Sequence, residues 1–242
     1  MVGIPSQTAA ELMPDARYSG TDNLEMMKEA VNYNRWLVQL VRDRARKKNR
    51  LLDFGAGVGT LALELARDGY RVECVEPDAD QREILSAAGL PAHADLTSIE
   101  DESIDFAYTF NVLEHIDDDR GALRHLARKI RRGGSVLVYV PAFSILYTSM
   151  DRKVGHLRRY RKRELGHKVR EAGLAVREAE YVDSLGFFAT LAYRAFGSGA
   201  GDINRAALRT YDRWVFPASR LLDVAAKHVL GKNVLLVAER TV

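Results

Sequence analysis

A chain of 242 residues with 47% hydrophobic and 29% charged side chains can bury one sizeable core, which excludes a disordered or fibrous polypeptide. A single cysteine, Cys74, excludes an intramolecular disulfide and a cysteine-based zinc site, and no run reaches the ~18 apolar residues that span a bilayer. The net charge of +3 conceals an asymmetry: Arg152 to Arg163, RKVGHLRRYRKR, holds seven Lys and Arg and no acid, so the remaining 29 basic residues are outnumbered by 33 acids.

The start, MVGIPSQTAAELMPDARY, lacks the basic-then-apolar pattern of a signal peptide, so a cytoplasmic protein is expected. Asp22 and Glu25 have capping-box spacing, and Leu24, Met27, Val31, Val38 and Val41 recur at helical intervals, predicting one long helix to about Lys47. Strands and helices then alternate: strand RLLDF, helix Val58 to Asp68, strand RVECVE, helix Ala79 to Ala88, and a short strand near PAHAD. Strand IDFAYTF, helix Asp119 to Ile130, strand SVLVYVP and helix Arg163 to Ala172 continue the series. The alternation predicts βαβ units and a parallel sheet covered on both faces. After strand LAVREAEYVD it breaks, and a helical insertion over roughly 184 to 231 precedes the last strand, NVLLVAERTV. Cys74 falls in a strand and reads as a buried structural thiol.

The stretch LLDFGAGVGT places Gly55, Gly57 and Gly59 directly after a strand, where missing Cβ atoms permit a sharp turn and close approach of a ligand. The dinucleotide fingerprint is G-x-G-x-x-G, and here the third glycine comes one position early, which disfavours a nicotinamide oxidoreductase. Glu76 closes the second strand, where a carboxylate accepts hydrogen bonds from both ribose hydroxyls of an adenosine. Asp95 follows the third strand, placed for an adenine amino group, and NVLEHIDD puts Asn111 and His115 at the carboxyl edge of the sheet.

Taken together, LLDFGAGVGT, VEPDAD, HADL, FNVLEHIDDD and GGSVLVYVPA resemble, in order and spacing, the class I S-adenosylmethionine-dependent methyltransferases over about Arg50 to Val140. The resemblance implies a Rossmann-like, doubly wound α/β fold with seven strands, mostly parallel, the last antiparallel. NYNRW before the glycine turn and MDRKVGHLRRY after the fifth strand are similar to a narrower group of small-molecule methyltransferases. Carried over by position, the resemblance assigns Gly55, Gly57 and Gly59 to the methionine-side turn, Glu76 with Pro77 to the ribose, and Asp95 with Leu96 to the adenine. Asp53, Phe110 and Asn111 would line the same pocket. IRRGG at 130 to 134 departs from the pattern, because proline often precedes the glycines there. The implied cofactor is S-adenosylmethionine, with S-adenosylhomocysteine as product, and no metal is expected.

Each of these features has a plainer alternative. Tyr33 and Trp36 either lie over the cofactor or simply pack the first helix, so residues 1–48 read as a segment ending in a cofactor-covering helix ahead of a methyltransferase domain over 49–242. His115 is a general base or a brace for the next helix, and His156 is placed to point into the site. Arg158, Arg159 and Tyr160 lie in a loop at the active edge, suited to a phosphate or carboxylate, unless that run is a solvated helix start. Phe187, Phe188, Leu191 and Tyr193 line an apolar substrate cavity or belong to a buried helix. The expected function is methyl transfer to a small anionic or amphipathic acceptor, such as a lipid, glycan or secondary-metabolite intermediate. The alternative is a non-catalytic, methyltransferase-like protein that binds a partner through the insertion. Peripheral membrane contact and a monomer or homodimer fit this reading, whereas nucleic acid is disfavoured by the net negative remainder of the chain.

Overall fold

A computed structural model describes residues 26–45, 50–196 and 204–241. Its framework alternates β1 (Arg50–Phe54), α2 (Thr60–Arg67), β2 (Arg71–Val75), α3 (Ala79–Ala87), β3 (Ala92–His93), β4 (Ile104–Phe110), α4 (Asp119–Lys129) and β5 (Ile130–Pro141), all preceded by α1 (Val31–Arg44). The short α5 (Ser149–Lys153), then α6 (Lys162–Glu171) and β6 (Ala175–Val182) follow. Helices α7 (Ser184–Phe196), α8 (Arg205–Thr210) and α9 (Phe216–Ala226) intervene before β7 (Asn233–Glu239). The seven strands form one sheet in the order β3-β2-β1-β4-β5-β7-β6. β1 runs parallel to β2 and β4, β4 parallel to β5, and β7 lies antiparallel between β5 and β6.

Both sheet faces are buried, and strand periodicity divides the core between them. Along β5, Val136, Val138 and Val140 join Leu123 and Leu126 of α4 and Leu165 and Val169 of α6. Leu137 and Tyr139 point the other way, toward Leu37, Val38 and Val41 of α1, Leu65 of α2 and Leu85 of α3. That two-sided burial is why strands such as SVLVYVP read as continuous apolar runs rather than alternating ones. Cys74 is fully buried in the second cluster, and burial pushes its thiol well above the ordinary range.

The first helix departs from the predicted continuous run. Asp22 and Glu25 lie outside the described residues, as does Lys47. The chain makes a short helical piece at 26–27 and a turn at 28–29 before α1 begins. α1 has no capping side chain of its own; Asp212 supplies one from across the molecule, its two carboxylate oxygens each 2.9 Å from the amide nitrogens of Asn32 and Tyr33. A borrowed cap satisfies the orphan amides that a local capping box would otherwise take. Asp223 does the same for α7, accepting from the amides of Asp183 (2.9 Å) and Ser184 (2.8 Å). The π-helical turn Tyr211–Val215 carries Asp212, so the segment between β6 and β7 is tied both to α1 and to itself. In IRRGG, Gly133 takes the turn with a φ of +74°, and β5 begins at Ile130, five residues before SVLVYVP.

Among the described residues no helix is long and apolar enough to cross a membrane. The helices between β6 and β7 nevertheless expose Phe188, Phe196, Trp214, Leu221 and Val224.

Candidate active site

The strand order reverses between β1 and β4, and the crevice at the carboxyl ends of those strands is where open α/β sheets bind ligands. A cavity of about 1140 Å³ opens there, bounded below by Gly55, Gly57, Glu76 and Asn111 and above by the α7 face of Gly186, Ala189, Thr190 and Tyr193. Gly55 and Gly59 hold φ values of +83° and +79°, and a Cβ on either would overlap the side chain of Val112 or Leu85. The turn therefore requires glycine twice over, by backbone conformation and by space.

Glu76 organises the cavity floor. Its Oε2 accepts from the Gly57 amide at 2.8 Å and its Oε1 from the Asp78 amide at 3.0 Å. Each oxygen keeps a second acceptor position, which is what a pair of vicinal hydroxyls requires. Burial raises the carboxyl above its ordinary value, and the two amide bonds oppose that rise. Asp53 lies beneath the turn, 4% exposed and outside the cavity lining. Burial, partly offset by the Tyr108 hydroxyl and reinforced by the Glu76 carboxylate, pushes its pKa up to about 8. At neutral pH Asp53 is therefore largely protonated. Asn111 follows β4 with a φ of +55°, a conformation that non-glycine residues seldom adopt, and its amide donates to the Tyr139 carbonyl at 2.8 Å.

The opposite wall is a polar relay. His156 Nδ1 lies 2.7 Å from Asp151 Oδ1, and Arg159 grips the same carboxylate with Nε at 2.8 Å and Nη2 at 3.0 Å. Burial alone would raise the Asp151 carboxyl; the bonds from His156 and Arg159 outweigh it and hold the group well below the usual carboxylate range. His115 meets the His156 ring edge-on, with centroids 4.7 Å apart. Burial and then the neighbouring His156 lower its pKa to about 4, so it is neutral at physiological pH. Behind both rings sits Glu114, fully buried, its pKa pushed by burial up to about 8.

With this geometry, comparison with known proteins is decisive for the family. The family model described as a methyltransferase domain matches residues 27–179, more than half of the chain. The chain belongs to that methyltransferase family. A Mycobacterium bovis protein named an uncharacterized methyltransferase is 28% identical over 134 residues, covering 53% of this chain and 50% of that protein. The chain thus spans about half the length of the curated relatives it matches. A Haloferax volcanii structure of a methyltransferase complexed with its Trm112 activator covers 94% of this chain and 97% of its own, at 18% identity and a TM-score of 0.65. A Thermotoga maritima S-adenosylmethionine-dependent methyltransferase covers 91% of this chain and 95% of its own, at 19% identity and a TM-score of 0.62. These structures share the class I methyltransferase fold, and the cofactor of that family is S-adenosylmethionine.

Within this member of the family, the cavity brings together Tyr33, Gly55, Gly57, Glu76, Pro77, Phe110, Asn111, His115, His156 and Arg159. Other residues singled out from the sequence lie elsewhere. Gly59 is the N-cap of α2, outside the cavity lining. Asp95 caps the turn Leu96–Ser98 through the Thr97 amide at 2.7 Å, Leu96 is buried in the core, and neither lines the cavity. Trp36 packs on Tyr139 and Phe216, with the Arg220 guanidinium 4.4 Å from its ring centroid.

The basic loop is corrected most. Arg159 lines the cavity but turns its fork to Asp151, with Nη1 on the Ala142 carbonyl at 3.1 Å. Arg158 lies outside the cavity lining, donating to the Asp117 carbonyl at 3.0 Å and pairing with the buried Asp119 at 3.3 Å. Tyr160 is wholly buried, its hydroxyl 2.8 Å from Asp119 Oδ2. On α7 the inward face carries the small and polar residues and Tyr193. Phe187 packs edge-on against Phe143, and Phe188 and Leu191 face outward.

Sequence reasoning missed Lys232, Tyr211 and Asp183, which also line the cavity. The Lys232 ammonium stands 6.0 Å from the Tyr211 ring centroid, and among the described residues no carboxylate lies within ion-pair distance of it. The only sequence cue was its place in GKN, just before β7.

Proposed function

We propose that this chain transfers the methyl group of S-adenosylmethionine to a small, anionic or amphipathic acceptor, such as a lipid, glycan or secondary-metabolite intermediate. The observation that carries this reading is the Glu76 carboxylate, which spans the Gly57 and Asp78 amides on the floor of the cavity and keeps acceptor positions free for a ribose. The sulfonium supplies the driving force, so the protein's task is alignment and exclusion of water, and alignment alone is worth ~7–11 kcal/mol. Tyr33, from α1, and the α7 face close over the space where the methyl would pass.

Lys232 supports an anionic acceptor group, and Met150, Leu157, Leu208 and Phe216 offer it an apolar wall. For a hydroxyl acceptor, His115 or His156 receives the proton as the methyl moves, leaving S-adenosylhomocysteine. His156 is the better held of the two, its other nitrogen fixed by Asp151.

Calorimetric titration with S-adenosylmethionine and S-adenosylhomocysteine, beside NADH and NADPH, tests the reading. Saturable binding of the first pair alone is expected. Binding of neither pair would favour a partner-binding module, and binding of the nicotinamides would favour an oxidoreductase.

A further inference from the structure

Glu114 is an anomaly that methyl transfer does not use. It is fully buried, and among the described residues neither of its carboxylate oxygens meets a hydrogen-bond partner in another residue. A buried carboxylate without partners is costly, and such groups are ordinarily paired or ligate a metal. Its Oε1 instead faces His156 Nε2 at 3.7 Å. Donor atoms of Glu114, His115 and His156 all lie within 4.8 Å of one another; the two histidines line the cavity and Glu114 is buried outside its lining.

The surroundings are those of a metal site's outer shell. Ligating histidines characteristically have their second nitrogen held by a carboxylate or a backbone carbonyl, which fixes ring orientation and tautomer. Here His156 Nδ1 is held by Asp151, itself locked by Arg159, and His115 makes a hydrogen bond to the backbone of Gly155. The loop is pinned as well: the Leu157 amide donates to the Glu114 carbonyl at 2.8 Å, and the Tyr147 hydroxyl to the His156 carbonyl at 2.7 Å.

We infer that Glu114, His115 and His156 form a binding site for one divalent first-row transition cation, held by two imidazoles and one carboxylate. Ligands ~2.1 Å from such an ion stand ~3 Å apart, so small side-chain rotations close the site. Two nitrogens and one oxygen suit Zn²⁺, Co²⁺ or Fe²⁺ and disfavour Mg²⁺ and Ca²⁺, which take oxygen. Three protein ligands leave open positions where His115 and His156 reach the cavity, and an oxygen of the acceptor fits there; with the cation bound neither imidazole is the proton acceptor, and that extension alone rests on the methyl-transfer reading.

Co²⁺ titration of the chelator-treated full chain, followed by visible absorption, tests the site. One equivalent should bind saturably with bands of low-coordinate, nitrogen-ligated Co²⁺. Glu114→Gln and, separately, His156→Gln should each weaken binding at least tenfold. The metal-free unfolding midpoint of Glu114→Gln should stay close to that of the parent, since the amide has the shape of the carboxyl it replaces, and the loss of Co²⁺ binding is then a loss of a ligand rather than of the fold. Absence of saturable uptake, or uptake unchanged in both variants, overturns the proposal. S-adenosylhomocysteine binding is read in parallel, and its failure beside intact Co²⁺ binding would sink methyl transfer while leaving the metal site standing.

Discussion

The Asp212 carboxylate accepts hydrogen bonds from the backbone amides of Asn32 and Tyr33, joining the helical segment before β7 to the helix before β1. Tyr33 lines the cavity, so one buried aspartate sets both the start of α1 and the position of a cavity wall. Asp212→Ala should cost ~1–3 kcal/mol, from the lost cap and its charge-assisted bonds. In a protein of this size that is a fall of several degrees in Tm. It should also raise the Kd for S-adenosylhomocysteine; a thermal scan and a titration that both match the parent would show that the contact is idle.

Arg159 is predicted to serve the fold rather than an acceptor. Arg159→Ala leaves Asp151 buried without its fork, and breaking a buried pair from one side costs ~3–5 kcal/mol. Urea denaturation should register that loss. An unchanged midpoint, with KM for an anionic acceptor raised, would return Arg159 to a binding role.

On the proposed reading, Lys232 rather than the basic loop meets an anionic acceptor group. Lys232→Gln should raise KM for a phosphate- or carboxylate-bearing acceptor about tenfold or more while leaving S-adenosylhomocysteine affinity as it was. Equal loss of both would place the ammonium on the cofactor side.

The Asp53 carboxyl, pushed up to about 8, makes stability depend on pH. The folded protein holds a proton on Asp53 that the unfolded chain releases near pH 4, so this contribution is fully present below about pH 4. It declines as pH rises, by up to ~1.4 kcal/mol per unit, until about pH 8. Between pH 5 and 8, Asp53→Asn should gain stability relative to the parent as pH rises. Parallel stability curves would mean that Asp53 titrates normally in the folded state.

How much of this could be read from residues alone follows from how local each signal was. The glycine turn, Glu76 and the βαβ alternation depend on neighbours a few positions apart, and they were legible. Asp212 and Tyr33 are separated by 179 positions, and an aspartate in YDRW carries no mark of the helix it caps. The charge of RKVGHLRRYRKR was legible, but its partners were not: Asp151 and Asp119 come from other elements and consume Arg159 and Arg158. SLGFFATLAYRAF is apolar nearly all round, so nothing in it distinguished the inward face of Gly186, Ala189 and Thr190 from the outward Phe188 and Leu191.

The most direct test of the account is a calorimetric titration of S-adenosylhomocysteine into the parent and into Glu76→Ala, each verified as folded by its unfolding transition. The parent should bind one equivalent, and the variant should lose tenfold or more in affinity, because charge-assisted bonds to the ribose are worth ~1.5–3 kcal/mol each. Equal affinity in the two proteins would contradict the placement of the cofactor on Glu76, and with it the claim that this cavity is built for S-adenosylmethionine.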